Sequence, residues 1–395
     1  MADTFKRTRA LCPAIVDGSP ASGLAKKVAA ELALVYPGIN VYKGFRVFML
    51  PYWVLYLIPA LGLLSGQRLT PSSQRVIWGL LGVVFALAIG LRHEVGGDWG
   101  AYLGYLERAS LMTLPEVLFQ GDPGYYLVNW IGATLGGDIY VVNVMCGAIL
   151  MSGVVLFARR QPLSLMALLV AVPYLITVVG MGYTRQAVAL GFILLGLSAL
   201  TDGRTRSFVV WVLIGAAFHK SAVLILPVAA LATTQRRIWN LFWIGIVSLM
   251  GGYLFLFDTV DTLWSTYVEN DIESQGGLIR VLMNAVPAVL YLLMHRYLVL
   301  EEEARRLWWW MSVFALACIP LVLISSTATD RVALYLIPLQ LFVFSRLHLI
   351  TNDTLLRAYI VTGVIVYYTT VLAVWLFFAT HSHAWLPYQM YPFAS

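Results

Sequence analysis

Charge is scarce in this chain. Of its 395 residues only 12% are Asp, Glu, Lys or Arg, whereas 60% are hydrophobic. A soluble globular domain carries about 25% charged residues, so this composition excludes one. Mean hydropathy is +0.79. Cysteine is scarcer still: Cys12, Cys146 and Cys318 are the only three. With no CxxC and no Cys/His cluster they form neither a disulfide framework nor a zinc site. The GxSxG elbow, the GxxxxGKS/T phosphate loop and the HExxH zinc helix are all missing, which removes the enzyme classes built on them. Nothing repeats at solenoid spacing, and no low-complexity linker divides the chain. The first apolar run begins near residue 47, too far along for a cleavable signal peptide.

Long apolar runs are what the chain has in abundance. Stretches at about 47–65, 75–91, 138–158, 163–179, 184–200, 238–257, 278–294, 307–325, 330–345 and 358–379 are each long and apolar enough to read as membrane helices. The fold class expected is therefore all-α: a polytopic helical bundle with about 10–12 transmembrane segments. The stretch 207–232 is ambiguous, because His219 and Lys220 interrupt it. It is one long helix, or two short ones meeting at that pair.

Charge placement decides. Basic pairs mark six short connections: Arg68 with Arg75, Arg159 with Arg160, Arg204 with Arg206, Arg236 with Arg237, Arg305 with Arg306, and Arg346 with Arg357. Short basic loops face the cytoplasm. All six share one side only if 207–232 crosses an even number of times, so a helical hairpin with His219 and Lys220 at its tip is expected. The net charge of +6 then reflects cytoplasmic loops and not nucleic acid as a partner. By the same parity 92–137 and the acidic stretch 258–277 are outer loops. Trp308, Trp309 and Trp310 read as an interfacial belt beside Arg305 and Arg306. A single transmembrane domain is expected over 47–380. The basic tail, 1–46, falls outside by parity and breaks the rule: either 47–65, interrupted by Pro51 and Pro59, does not fully cross, or the segment "VAAELALVY" lies flat as an amphipathic anchor.

A few cations remain on the outer side: Arg92, Arg108, Arg185, Lys220, Arg280 and Arg331. Arg108 sits mid-loop and reads as surface. The other five stand at helix ends, at one membrane level, with Glu94, Asp98 and Asp330 as acidic neighbours. A helix-end arginine can snorkel to headgroups at little cost. Five at one level read better as a shared site, since cations at membrane depth are expensive and by default functional. A guanidinium matches phosphate oxygens as a planar fork and cannot be deprotonated. The phosphate a membrane-embedded protein meets is carried on lipid, so a polyprenyl diphosphate is the expected ligand class. If a sugar were transferred from it, arginines would stabilise the leaving group and a base would activate the attacking hydroxyl. Asp98, Glu94 and His219 are the candidate bases, with Asp98 ranked first and His219 second. Carboxylates are too sparse to argue for a bound metal, and no cofactor is expected.

These residues also carry a resemblance. "LRHEVGGDWGAY" is similar to the R-x-x-V-G-x-D-x-x-x-Y element of the EpsG-type exopolysaccharide polymerases, relatives of Wzy, with Arg92, Val95, Gly96, Asp98 and Tyr102 in place. "YTRQAVALGF" resembles their Arg-Gln-x-x-A segment (Arg185, Gln186, Ala189), with Tyr183 just ahead of it. "AFHKSAVLILPV" resembles the F-H-x-S-A element (Phe218, His219, Ser221, Ala222). "DRVALYLIP" resembles the late R-x-x-x-Y helix (Arg331, Tyr335). Four elements in order span about 75–345.

The resemblance implies a fold like the multi-helix polyprenyl-phosphate-dependent glycosyltransferases. It implies polymerisation of undecaprenyl-diphosphate-linked oligosaccharide units into exopolysaccharide or O-antigen, at the outer leaflet of the bacterial inner membrane, with the active site facing the periplasm. Lipid-linked oligosaccharides, membrane lipids, a chain-length regulator and export proteins are the expected partners. Arg92, Arg185 and Arg331 would hold the diphosphate. Gly96 and Gly97 would let the loop turn tightly against substrate; Glu94 would pair with an arginine. Tyr102, Tyr183, Gln186, Lys220, Arg280, Asp330 and Tyr335 complete the expected binding set. The rivals are a flippase of lipid-linked sugars, a membrane acyltransferase acting on surface polysaccharide, and a scaffold of an export complex.

Overall fold

The computed structural model describes residues 41–66, 70–233, 237–256 and 276–394. Expectations for the tail up to residue 40, for most of 258–277, and for Arg68 and Arg236 lie outside the described residues. The chain divides into two compact units, Met1–Leu50 and Pro51–Ser395; apart from the start of the first helix, all that follows belongs to the second.

The described residues are helical almost throughout. Helix α1 (Val41–Leu64) is followed by α2 (Pro71–Gly90). The expected loop 92–137 turns out to be built: a two-residue strand β1 (Arg92–His93) leads to α3 (Trp99–Ser110), α4 (Leu114–Leu118) and α5 (Pro123–Thr134). Next come α6 (Ile139–Arg159) and α7 (Ser164–Ala171), which runs on as a π-helix over Val172–Gly180. Helix α8 (Thr184–Thr201) precedes α9 (Thr205–Ala216), a 3-10 stretch Lys220–Ile225, α10 (Leu226–Ala232) and α11 (Arg237–Leu256). The last third comprises α12 (Gly277–Met294), α13 (Glu302–Ile324), α14 (Ser326–Leu334), α15 (Pro338–Phe344), α16 (Thr354–Phe378) and strand β2 (Gln389–Met390). Among the described residues six helices are long and apolar enough to cross a membrane, and four further apolar helices are shorter. The protein is a multi-pass helical membrane protein.

Two expected spans are broken. The 163–179 run changes to a π-helix where Pro173 enters it; proline supplies no N–H to the ladder. The 330–345 run is two helices, because Pro338 opens α15 at its first position, where a missing N–H is tolerated. Trp308 is a correction too. It is not in an interfacial belt but fully buried, stacked on Phe342 with centroids 4.1 Å apart.

Helix α8 is the hub, packed on α6 and α9, and α6 packs in turn on α2. A Cβ on Gly153 of α6 would overlap the backbone of Gly191 in α8. Small residues of this kind let membrane helices touch backbone to backbone, which maximises dispersion contact where no hydrophobic effect drives association.

The contacts sort the connections into two ends. At one end Arg160 and Arg204 both pair with Asp202, Arg346 donates to Gln161, and Tyr291 donates to the Arg305 carbonyl. These are the basic connections. At the other end the Gly124 N–H donates to the Ala217 carbonyl at 2.8 Å, and Arg185 pairs with Asp122. Helix α9 and the Lys220–Ala232 segment meet at His219.

Candidate functional site

A cavity of about 770 Å³ lies at this second end. Asp98, Arg185, His219, Arg280, Asp330 and Arg331 line its polar part. Each is delivered by a break in helical structure. Asp98 precedes α3 at the N-cap position yet makes no side-chain cap bond, so its carboxylate is not consumed by the helix start. Arg185 and Gln186 lie in the first turn of α8, and Arg280 in the first turn of α12. Helix N-termini favour anions and disfavour cations, so arginines placed there serve something other than helix stability. His219 is extended between α9 and the Lys220–Ile225 stretch, and Asp330 and Arg331 lie on short α14.

The cations are held by neighbours. Arg185 Nη1 donates to Asp122 Oδ2 at 2.6 Å, with its guanidinium over the Tyr105 ring at 4.9 Å. Arg280 pairs with Asp330. Burial pushes the Asp98 carboxyl above its ordinary value of 3.8, and Arg185, Arg331 and Tyr102 pull it partly back. His219 goes the other way. Burial and the same two guanidiniums push its imidazole down to about 3. Its Nδ1 lies 2.7 Å from Ser221 Oγ and 3.2 Å from the Tyr335 hydroxyl. The ring is thus neutral and oriented from behind.

Of the expected residues, Tyr102, Tyr183 and Gln186 also line the cavity. Arg92, Glu94, Gly96, Gly97, Lys220 and Tyr335 do not. Arg92 is fully buried: it donates to the Ile89 carbonyl at 2.5 Å, the Val95 carbonyl at 3.2 Å and Thr184 Oγ1 at 2.8 Å. Two of those acceptors lie at the end of α2 and in its own loop, the third at the start of α8, so Arg92 ties the Asp98 loop to the Arg185 helix. Glu94 is exposed and pairs with no described arginine. Gly97 has open space around it. Lys220 lies close to Gly121, on the Asp122 side. Tyr335 stands behind His219. Among the described residues no three His, Cys, Asp or Glu side chains gather as a metal site requires.

Gly96 has a different task from a substrate approach. At φ 104, a conformation side chains rarely adopt, it packs directly on Met181 and Gly182, and its N–H donates to the Ala384 carbonyl at 2.7 Å. Gly182 in turn is roofed by the Trp385 ring, whose Nε1 donates to the Thr177 carbonyl at 2.9 Å inside the π-helix. Loop, π-helix and C-terminal segment interlock here. Gly182→Ala would drive a methyl into the Trp385 ring. Overpacking of this kind costs about 1–3 kcal/mol; we expect a lower melting temperature in detergent and loss of activity, both read on the full chain.

Sequence reading missed three features. Asp122, the partner of Arg185, carries no local signal of a contact 63 residues away. The transmembrane domain was expected to end at 380, yet His381 lines the cavity. The third is an apolar slot. Ile279, Leu282, Met283 and Val286 of α12 face Tyr367, Val371, Val374 and Phe378 of α16 across the cavity. The α12 set follows i, i+3, i+4, i+7 spacing and the α16 set i, i+4, i+7, i+11, a helical periodicity present in the sequence but hidden on α16, which is apolar all round. Ile279, Leu282, Val286, Val374 and Phe378 are also exposed on the protein's flank, so the slot opens sideways.

Fold and site together define a polytopic helical membrane protein with an arginine-lined cavity whose apolar part is exposed on the protein's flank. The model of the EpsG family, the family of exopolysaccharide polymerases, matches residues 75–390, and the chain belongs to that family. Membership supports an exopolysaccharide-polymerase role. No curated protein and no solved structure matches the chain.

Proposed function

We propose that this protein is a glycosyltransferase that joins undecaprenyl-diphosphate-linked oligosaccharide units into exopolysaccharide, with its cavity facing the periplasm at the outer leaflet of the bacterial inner membrane. The observation that carries the reading is the division of one cavity into two chemistries. Its polar part has three guanidiniums and the N-termini of α8 and α12. Guanidiniums and helix N-termini both select phosphate. The rest is an apolar slot open on the flank, suited to a polyprenyl tail that stays partly in the bilayer.

In the proposed reaction the acceptor hydroxyl oxygen attacks the anomeric carbon of the donor sugar. The bond from that carbon to the diphosphate oxygen breaks, and the electron pair leaves with the lipid diphosphate. Arg185 and Arg331, with Arg280, neutralise the departing charge; the acceptor proton passes to Asp98. His219 is neutral and serves as a hydrogen-bonding group. Arg92 holds the Asp98 loop and touches no substrate. The flippase rival needs cations along a path through the bilayer, whereas here they gather at one end.

The base assignment predicts a pH profile. Asp98 acts only when deprotonated, so polymer synthesis falls as pH drops through its raised value, and the acid limb lies above the ordinary aspartate range. His219 stays neutral down to about 3 and contributes no limb between pH 5 and 8. The full chain in vesicles supplied with lipid-linked units tests this. A limb near the ordinary histidine value that vanishes in His219→Gln would assign the base to His219 instead.

A further inference from the structure

The loop that carries Asp98 also carries a group of aromatic rings that the transfer chemistry leaves unused. Tyr140, in the first turn of α6, and Tyr391 stack with centroids 4.2 Å apart and planes 17° from parallel. The Tyr140 hydroxyl is 2.6 Å from His93 Nδ1. Trp99 completes the group, 6.0 Å from His93 and 6.1 Å from Tyr140. The antiparallel pairing of β1 with β2 assembles it, setting Arg92 against Met390 and His93 against Gln389. Tyr391 is 44% exposed and Phe393 84%.

Two carboxylates border the rings. Glu94 and Asp138 are both exposed, and both act on the Tyr140 hydroxyl. Glu94 has φ 52 and is the one non-glycine positive-φ residue among the described residues. A glutamate held in the left-handed region is strained, and such strain persists where the surrounding structure imposes it for use.

An interfacial tyrosine belt is the ordinary reading of aromatics near a helix end. It fits poorly, because two carboxylates at the rings repel phosphate headgroups. The same charges repel the diphosphate that the cavity's arginines attract. A ligand suited to one exposed ring, Tyr391, backed by half-buried rings and bordered by carboxylates, has apolar C–H faces, many hydroxyl donors and no phosphate. That describes the sugar part of a glycan. The position agrees: Trp99 follows Asp98 directly, and the C-terminal segment runs from His381 on the cavity wall, past Ala384 on Gly96, to Tyr391.

We propose that the His93–Trp99–Tyr140–Tyr391 group is a glycan platform that holds the sugar chain, away from its lipid diphosphate, as it extends from the cavity. The proposal rests on the polymerase reading and adds a second binding region to it. Its role is to retain the chain between additions, so it sets polymer length and not the rate of a single coupling.

The test uses the full chain in vesicles with lipid-linked units extracted from cells lacking it. Tyr391→Ala should form the first linkage at the wild-type rate while holding the glycan about tenfold less tightly, the value of one lost aromatic contact, so that modal polymer length falls severalfold. Tyr391→Trp keeps a stacking face and should restore length, which separates stacking from misfolding. Glu94→Gln should shorten the polymer less. Normal length in Tyr391→Ala overturns the platform, as does equal shortening in Tyr391→Ala and Tyr391→Trp. Shortening in cells but not in vesicles also overturns it, and assigns the patch to a protein partner. If wild type forms no linkage in vesicles, the polymerase reading fails first, and the two failures are distinguishable.

Discussion

Arg185→Lys is expected to remain in the membrane at wild-type abundance and to make polymer about 10²–10³-fold more slowly, the loss seen when one preorganised donor to a developing anion is removed. Lysine keeps the charge. What it loses is the fork that reaches Asp122 with one nitrogen and presents others to a ligand; Arg185 Nη1 is committed to Asp122 at 2.6 Å, while Arg185 Nε is buried with no protein partner. An ammonium can satisfy Asp122 or a phosphate oxygen but cannot span both in one plane. Arg185→Ala is a poorer test, because it leaves the Asp122 carboxylate, 10% exposed, without its counterion. Breaking a buried pair costs about 3–5 kcal/mol; the cost here is smaller, since the guanidinium is 28% exposed. The double variant Asp122→Asn/Arg185→Ala removes that penalty. It is expected to fold better than Arg185→Ala alone and still make no long polymer. Quantitative blotting of membranes and polymer sizing on gels read both outcomes. Full activity in Arg185→Lys would mean that only a point charge is needed.

Asp98→Asn is the second large effect. Removing a general base costs about 10²–10⁴-fold, and asparagine keeps the size of the side chain while it can no longer accept a proton. Asp98 makes no cap bond to α3, so the substitution costs the fold little. Single repeat units should accumulate on lipid while long chains disappear. Normal chain length in this variant would remove Asp98 from the chemistry. His219→Gln is the companion control: with its ring neutral and held by Ser221 and Tyr335, it should lose less than Asp98→Asn.

How legible the site was in sequence varied with the kind of signal. Asp98, Arg185, His219, Arg280, Asp330 and Arg331 were legible because ionisable residues in an apolar chain are costly and therefore informative. The break in 207–232 was legible because His219 and Lys220 interrupt an apolar run. Arg92 carried the same signal as Arg185, yet one is sealed inside the protein and the other lines the cavity. That difference depends on Ile89, Val95 and Thr184 carbonyl and hydroxyl positions, which sequence spacing does not encode. The slot was obscured for another reason. On α16 every face is apolar, so hydropathy cannot distinguish the face toward bilayer from the face toward the cavity. Long-range docking was the least visible. Trp385 reaches Thr177, 208 residues away, from a segment with no periodicity of its own.

The most direct test of the central claim is to count lipid diphosphate released per glycosidic bond formed, using the purified full chain in vesicles containing lipid-linked units and no other protein. The account predicts one undecaprenyl diphosphate released for each new linkage, with both falling together in Asp98→Asn and Arg185→Lys. Movement of intact lipid-linked units between leaflets, with no diphosphate released, would contradict it and make the protein a transporter.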